Sequence, residues 1–202
     1  MLKDGTHASV RILGFCHDEL AGGGKAGISF EFADVPITHS MNPTDNNRGG
    51  WASCEMRKWL NGDFFSRLPN DLYPLVETVT KRTNNSGGVG RENDTSVVTA
   101  RPDKLWLLSM SEVYGDLSSQ TQDAPWSPST YDAEGTQYQL YANHDVSIAN
   151  SGFCQKRGAR SWWWLRSARA VDSLRFCYVY GDGEWRNDYA DYDWGVSPGF
   201  CL

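Results

Sequence analysis

The sequence predicts one α+β domain that spans residues 1–202. The chain is long enough to bury a single hydrophobic core, and its 40% apolar and 22% charged residues are typical of a folded globular protein. Helical periodicity appears early, whereas strand patterns are mixed in and gather toward the carboxyl end. We therefore expect helices and strands in separate parts of the chain, joined by much irregular loop.

The first part of the chain predicts one strand and two helices. Residues 28–32 alternate Ile, Phe and Phe with Ser and Glu, which predicts a half-buried strand. Residues 51–62 carry apolar side chains at helical spacing and end on Asn-Gly, so they predict a short amphipathic helix. Residues 70–79 predict a second helix, because an Asn-Asp cap precedes Pro74 and apolar residues again follow the helical period.

Two long polar segments flank a buried element in the middle of the chain. Residues 82–96 and 118–136 are rich in Gly, Ser, Asn and Asp, which predicts irregular loops. Between them, the continuous apolar residues 105–108 predict a buried strand. Ser109 and Glu112 form the S-x-x-E pattern of a capping box, so a helix is expected to begin there.

A strand is predicted from Phe176 to Tyr180. Its period of two buries Cys177 and Val179 on one face and presents Tyr178 and Tyr180 on the other. Phe176 shares the face of the tyrosines, and we expect it at the boundary, packed under them.

Charge, hydropathy and cysteine usage restrict the class of protein. The net charge of −6, without a long basic run, argues against nucleic acid or an anionic membrane as the main partner. No apolar stretch approaches a membrane span, and residues 1–10 lack the apolar core of a secretion signal. Five scattered cysteines without a C-x-x-C pair predict free, mostly buried thiols and neither a disulfide framework nor a zinc ribbon.

Motifs that would indicate catalysis or metal binding are incomplete. Residues 21–27 suggest a phosphate loop, but Glu19 stands where its first Gly is required and Ala26 replaces the magnesium-binding Ser or Thr. The acidic stretch 181–193 lacks calcium-loop spacing, since Glu184 directly follows Gly183. We therefore expect a protein without enzymatic activity, metal or cofactor.

The last forty residues combine two kinds of composition. Trp163, Trp164, Leu165 and the closing residues 195–202 are bulky or turn-forming, as expected of a framework. Between them lie Tyr, Asp, Asn, Arg, Ser and Gly, which is the composition of antibody-like binding surfaces. An ordinary aromatic core with a polar loop is the alternative that composition leaves open.

Five stretches of the chain resemble one family. They are WWLRS (163–167), VYG (179–181) and GVSPGFCL (195–202), supported by GGWASCEMRKWLN (49–61) and DKLWLLSMSEVYG (103–115). Together they resemble the C-type lectin-like domain of variable proteins that retroelements diversify in phages and gut bacteria, over residues 11–202. The resemblance implies a C-type lectin-like fold and a receptor-binding protein of a phage tail or bacterial cell surface. Its partner would be an unknown protein or glycan on a target cell, and a homo-oligomer is compatible with it.

The genetic code provides a test of that resemblance. In such systems, as the family implies, adenines of AAC codons are replaced, and these changes cannot produce Lys, Glu, Gln, Met or Trp. Between Ala168 and Asp193, only Glu184 and Trp185 fall outside the reachable set. Residues 168–194 are thus the candidate variable region, in which Trp185 and Trp194 belong to the framework and Glu184 is a departure.

We expect the ligand-binding side chains to be the polar and aromatic residues of this region. Tyr and Arg would be the anchors, because they bury a large area at modest entropic cost. The predicted set is Arg169, Val171, Asp172, Leu174, Arg175, Tyr178, Tyr180, Asp182, Arg186, Asn187, Asp188, Tyr189, Asp191 and Tyr192.

Two other functions are alternatives to that of a diversified receptor-binding protein. A carbohydrate-binding module without diversification would also use Trp and Tyr beside Asp and Asn, and glycan binding shared by several sequence variants would favour it. An enzyme of the formylglycine-generating type shares the fold, but no Cys of this chain falls in a recognisable counterpart of its active site. Thiol-dependent oxidation of a Cys-containing peptide would favour that activity.

Overall fold

The computed structural model describes residues 1–88, 92–120 and 127–202. It combines helices and strands, as the sequence predicts. Within these described residues ten strands form three sheets, and the strands are β1 (Val10–Phe15), β2 (Ile28–Phe32), β3 (Ile37–His39), β4 (Val79–Asn84), β5 (Val98–Asp103), β6 (Trp163–Ala168), β7 (Arg175–Val179), β8 (Trp185–Tyr189), β9 (Trp194–Val196) and β10 (Gly199–Cys201). The α-helices are short, and they are α1 (Gly50–Ser53), α2 (Glu55–Trp59), α3 (Met110–Tyr114), α4 (Pro128–Asp132) and α5 (Gln139–Ala142).

The largest sheet has five strands in the order β3-β9-β6-β7-β8, and β6 lies at its centre. A three-stranded sheet has the order β1-β2-β10, and β4 pairs with β5 as a hairpin. Alternate residues of β6 point to two separate cores, with Trp164 in one and Trp163 and Leu165 in the other. The predicted framework role of these three residues agrees with their complete burial.

The helix predicted over residues 51–62 is longer and less regular than expected. It breaks at Cys54, whose backbone is extended, and then continues through α2 into a π-helical turn over Leu60–Phe64. The predicted stop at Asn61 fails because its side chain bonds to distant backbone instead. The amide donates to Leu105 O at 2.8 Å and accepts from Lys104 N at 2.8 Å.

The prediction of a helix over residues 70–79 is wrong. Only a 3₁₀ turn forms over Tyr73–Leu75, and the chain then extends into β4. Leu75 is 58% exposed, so the apolar spacing does not mark a buried helix face. Pairing of Val79 with Asp103 of β5 determines the extended conformation, which is a non-local contact that periodicity does not reveal.

The segment before α3 follows its predicted burial more closely than its predicted conformation. Residues 105–108 are fully buried but form only one isolated bridge, between Trp106 and Gly199. The capping box is confirmed, since Ser109 Oγ accepts from Glu112 N and Ser109 N donates to the Glu112 carboxylate. The irregular character predicted for 82–96 and 118–136 is confirmed over 85–88, 92–94, 118–120 and 133–136. It is wrong for residues 82–84, which belong to β4 because they pair with β5, and a 3₁₀ turn forms over Thr95–Val97. Residues 89–91 and 121–126 lie outside the described residues, and α4 is a short exception.

The polar face predicted for residues 28–32 is buried, contrary to expectation. Ser29 and Glu31 are both fully buried, whereas Ile28 and Phe30 are half-buried. The reason is pairing with buried partners. Ser29 Oγ donates to Asp18 at 2.6 Å, and Glu31 accepts from Lys156 Nζ at 2.5 Å.

A second buried ionic network centres on Arg166 of β6. Its guanidinium donates to both carboxylate oxygens of Glu112, and one of these contacts measures 2.9 Å. Lys81 Nζ bridges Glu112 and Asp18 at 2.5 and 2.6 Å. The nearby Glu134 accepts from Asn84 N and from a serine hydroxyl. The network therefore connects β4, β6, α3 and the segment after β1.

None of the described helices is long and apolar enough to cross a membrane. All five cysteines are free, as predicted. Four are buried, and burial raises the pKa of each of their thiols to about 12; they are Cys54, Cys154, Cys177 and Cys201.

Thiol reactivity should follow this burial. In the folded protein only Cys16 is exposed, so we expect one thiol to react rapidly with a charged disulfide reagent and all five to react after denaturation. Cys16→Ser should abolish the rapid phase and leave four slow thiols. Two or more rapid thiols in the folded wild-type chain would contradict the burial described above.

Glu134 should make stability depend on pH. Burial raises its pKa to about 7, despite the opposing effect of Arg166, whereas the unfolded chain has the ordinary value of 4.5. The folded state therefore holds this proton more tightly, and the contribution to stability falls as pH rises from about 4.5 to 7. Glu134→Gln keeps the neutral hydrogen bonds and cannot ionise. Between pH 4.5 and 8, we expect the free energy of unfolding of the wild type to fall by on the order of a few kcal/mol relative to that of this variant. Urea denaturation at each pH measures both values. Parallel stability curves would contradict this assignment.

Candidate functional site

Five aromatic side chains, here called the aromatic patch, lie side by side on one face of the five-stranded sheet. They are Trp162, Tyr178, Tyr180, Tyr192 and Trp194. The Trp162 ring centre lies 4.5 Å from that of Tyr180 and 4.6 Å from that of Trp194. Trp194 stacks on Tyr178 at 6.0 Å and meets the edge of Tyr192 at 5.7 Å. Exposure increases outward, from buried Tyr178 to Tyr192, which is 44% exposed.

The patch packs on two fully buried side chains, Trp164 of β6 and Phe176 of β7. Trp164 meets the Tyr178 ring edge-on at 5.9 Å, and its indole N–H donates to His39 O at 3.1 Å. Phe176 lies beneath the same face and is completely buried. Since each ring is fixed by neighbours, the patch presents a preformed apolar surface with little rotamer entropy to lose on binding.

Arginine side chains cover several ring faces at the edge of the patch. Arg186 lies over Tyr180 at 4.6 Å, and Arg160 lies over Trp194 at 4.8 Å. Arg186 also contacts Glu184 at 3.0 Å. Stacking of a guanidinium on an aromatic ring contributes about 0.5–1 kcal/mol at exposed sites, so a ligand can displace these groups at modest cost.

The loop of residues 169–175 leads into β7 at the end away from Tyr180, and it is folded around Asp172. Its carboxylate accepts from Arg169 at 3.2 Å and Arg175 at 2.5 Å, and it also accepts from Leu174 N at 2.7 Å. Val171 and Leu174 are 39% and 36% exposed. The loop therefore presents two apolar side chains beside paired charges.

Asn47 holds the backbone of the 169–175 loop from below. Its buried side-chain amide donates to three carbonyl oxygens of the loop, those of residues 169, 172 and 175, at 3.3, 2.6 and 2.8 Å. Its backbone N–H donates to Ser173 O at 2.8 Å. Asn84 donates to Ala168 O at 2.9 Å, just before the loop. A Cβ at Gly88 would lie 2.4 Å from Ser173 Cα, so only glycine allows this approach.

The fourteen predicted ligand-binding residues fall into three classes of burial. Six are exposed, namely Val171, Leu174, Asp182, Arg186, Asp191 and Tyr192. Seven are half-buried, namely Arg169, Asp172, Arg175, Tyr180, Asn187, Asp188 and Tyr189. Tyr178 was expected to reach solvent but is only 6% exposed, and Phe176 was expected at the boundary but is fully buried. Both are covered because Trp194 of β9 and Trp164 of β6 pack against their face.

The predicted residues do not form one surface. The register pairs Tyr178 with Arg186 and Phe176 with Asp188, so those side chains share the face of the aromatic patch. Asn187 lies opposite Cys177 and points to the other side of the sheet. Tyr189 lies opposite Arg175, whose guanidinium covers its ring at 4.3 Å.

Three residues of the site, Trp162, Arg160 and Asn47, are absent from the set predicted from the sequence. Trp162 could have been found, because the period of two in a strand places it on the same face as Trp164. Arg160 and Asn47 carried no comparable signal. Asn47 meets the loop more than a hundred residues away in sequence, and a lone Asn in a polar stretch predicts only a turn.

The phenol of Tyr178 lies at the buried end of this surface. Burial, and secondarily the Asp188 carboxylate, raises the pKa of Tyr178 to about 12, so its phenol stays protonated near neutral pH. Among residues 1–88, 92–120 and 127–202, no group of three or more His, Cys, Asp or Glu could hold a metal ion.

The chain belongs to the family described as a domain of unknown function, DUF6273, whose model matches residues 33–202. The match includes the aromatic patch, the 169–175 loop and Asn47, whereas β1 and β2 precede it. No curated protein and no solved structure matches the chain.

Removal of the Asn47 side chain should loosen the loop selectively. Asn47→Ala removes three hydrogen bonds to loop carbonyls, so we expect amide hydrogen exchange of residues 169–175 to accelerate at least about tenfold. The aromatic patch, which packs on Trp164, should keep its protection.

Asn61→Ala is the matched control for this experiment. The Asn61 amide donates to Arg57 O and Leu105 O, remote from the loop. Both variants should lose about 1–3 kcal/mol of stability, because each leaves buried carbonyls unpaired. Equal exchange rates in the 169–175 loop of the two variants would show that Asn47 does not hold it specifically.

Proposed function

We propose that this chain is a ligand-binding domain whose binding surface consists of the aromatic patch and the 169–175 loop. The observation that carries the proposal is that the residues that hold the loop backbone are not the residues that the loop exposes. Framework residues hold it through its backbone carbonyls, while its apolar side chains Val171 and Leu174 are exposed. Tyr189 connects the loop to the patch, because Arg175 covers its ring at 4.3 Å and the Tyr192 ring lies 5.8 Å from it. Rigid aromatic rings next to exposed apolar and paired charged groups are the usual anchors of protein recognition.

We further propose that this surface is diversified by a retroelement and that the fold is C-type lectin-like. The codon composition of residues 168–193 supports diversification, as does a loop whose backbone carbonyls are held by Asn47, outside the candidate variable region. Tyr178 would then be a constrained position, because its ring is buried under Trp194. On this proposal, the protein is part of a phage tail or of a bacterial cell surface, and it binds a protein or glycan of a target cell.

A carbohydrate-binding module is the second candidate. The half-exposed ring of Tyr192 lies beside the exposed carboxylates of Asp191 and Asp193, and sugars are bound by such combinations of ring and acceptor. Flanking DNA separates the two proposals. A near-identical repeat with AAC codons at the variable positions, next to a reverse transcriptase gene, supports diversification, and its absence rejects it.

Exchange of exposed side chains should abolish binding without unfolding the chain. Val171, Leu174 and Tyr192, changed together to Ser, are all exposed on the proposed surface and leave β8 unaltered. We expect the melting temperature to fall by only a few degrees, because exposed substitutions typically change stability by less than about 0.5 kcal/mol each. Binding of the labelled chain to a panel of intact bacterial cells and to a glycan array should be lost. Trp164→Ala should instead destabilise the fold by about 3–5 kcal/mol, because it leaves a cavity under the patch.

A control variant removes three exposed apolar side chains elsewhere. Phe15, Tyr73 and Leu75 are 53%, 42% and 58% exposed and lie outside the proposed surface. Their combined change to Ser should preserve binding to the cells or glycans that the wild type recognises. If the control triple loses binding and the patch triple keeps it, the binding surface has been misplaced.

A further inference from the structure

The strand β8 ends the five-stranded sheet and leaves one edge of its backbone open. Hydrogen bonds from Tyr180 N to Glu184 O and from Ala190 N to Leu174 O fix which residues of β8 bond inward to β7. Residues with even numbers do so, since bonded pairs alternate along an antiparallel ladder. The N–H and C=O groups of Trp185, Asn187 and Tyr189 therefore point away from the sheet. Among the described residues, no strand lies beyond this edge.

The sequence of β8, Trp-Arg-Asn-Asp-Tyr, is complementary to itself in antiparallel orientation. If two copies pair about Asn187, Trp185 of each lies opposite Tyr189 of the other. Arg186 then lies opposite Asp188 on the face of the aromatic patch. Directly opposite aromatic pairs and opposite-charge pairs each contribute to strand association.

Other registers are disfavoured by charge. The outward backbone groups belong to residues with odd numbers, so a symmetric pairing must bring odd residues opposite odd ones. A two-fold axis at residue 186 would place two Arg186 side chains opposite each other, and an axis at residue 188 would do the same for two Asp188 side chains. Only the axis at Asn187 uses every outward group of the strand and creates no like-charge pair.

We propose that two copies of this chain pair through β8, with the two-fold axis at Asn187, to form a continuous ten-stranded sheet. The axis is perpendicular to the sheet, so both aromatic patches lie on the same side. The dimer would thus present two copies of the proposed binding surface to one target, and bivalent binding raises the apparent affinity without new contacts.

Several contacts of the isolated chain must change or be shared when the strands pair. Tyr192 N donates to the outward Tyr189 O at 3.2 Å, and Arg186 lies over the Tyr180 ring at 4.6 Å. Arg186 now contacts Glu184 at 3.0 Å, and Tyr189 N donates to the Asp188 carboxylate at 2.9 Å. Both involve exposed or half-buried groups at the edge, where ion pairs contribute little to stability. Their release leaves Arg186 and Asp188 free to pair between copies.

Sedimentation equilibrium of the whole chain, from about 1 µM to about 500 µM, tests this pairing without any ligand. We expect a monomer–dimer equilibrium for the wild type. Arg186→Asp or Asp188→Arg alone should weaken dimerisation about tenfold or more, because each creates two like-charge pairs across the axis. The double variant Arg186→Asp/Asp188→Arg restores complementarity with reversed sign and should dimerise. An equimolar mixture of the two single variants should form heterodimers.

Proline provides an independent test of the backbone hydrogen bonds. Asn187→Pro removes an outward N–H that β7 does not use, and proline is tolerated on edge strands at such positions. We expect it to abolish dimerisation, whereas Asn187→Ala keeps the N–H and should dimerise. A wild type that stays monomeric at 500 µM overturns the proposal, and so does a dimer that neither the charge variants nor Asn187→Pro weaken. Loss of ligand binding by the patch variant has no bearing on this outcome.

Discussion

The buried guanidinium of Arg166 is the constraint on which much of this structure depends. A charge placed at the centre of a sheet is strongly unfavourable unless every donor finds an acceptor. Here the acceptors are Glu112, the Thr83 hydroxyl at 2.9 Å and backbone carbonyls, including Leu107 O at 2.8 Å. Each partner lies on a different element, so the pairing requirement brings β6, α3 and the segment before α3 to one place. Lys81 extends the same network to β4 and to Asp18.

The location of Arg166 also determines on which face of the sheet the aromatic rings of the patch lie. In β6 the side chains alternate, and Trp164 therefore points to the core beneath the patch while Trp163 and Leu165 point to the other core. With β6 fixed in register by its buried charge, Trp164 supports Tyr178 from below and Trp194 covers it from above. The patch is thus a consequence of a central strand that cannot slip by one residue without moving a charge into an apolar core.

Local signals in the sequence predicted what local interactions determine. The capping box of Ser109 and Glu112 and the alternation from Phe176 to Tyr180 were both readable, because neighbours a few residues apart decide them. The failures have a common cause in long-range contacts. The helix predicted around Pro74 does not form, because the chain after it pairs with β5. Tyr178 is not exposed as predicted, because Trp194 covers its ring. Alternation predicts which residues share a face of a strand, but a neighbouring element decides whether that face is covered.

Asn47 shows how a loop can be shaped without specifying its side chains. Its amide contacts three carbonyl oxygens, which every residue type possesses, and its backbone N–H contacts a fourth. Hydrogen bonds of this kind fix the path of the 169–175 backbone regardless of what residues 171 and 174 carry. The half-buried pairing of Asp172 with Arg169 and Arg175 adds to the fold of this version of the loop. Because the backbone bonds remain when these side chains change, the surface can vary in chemistry while its geometry is retained.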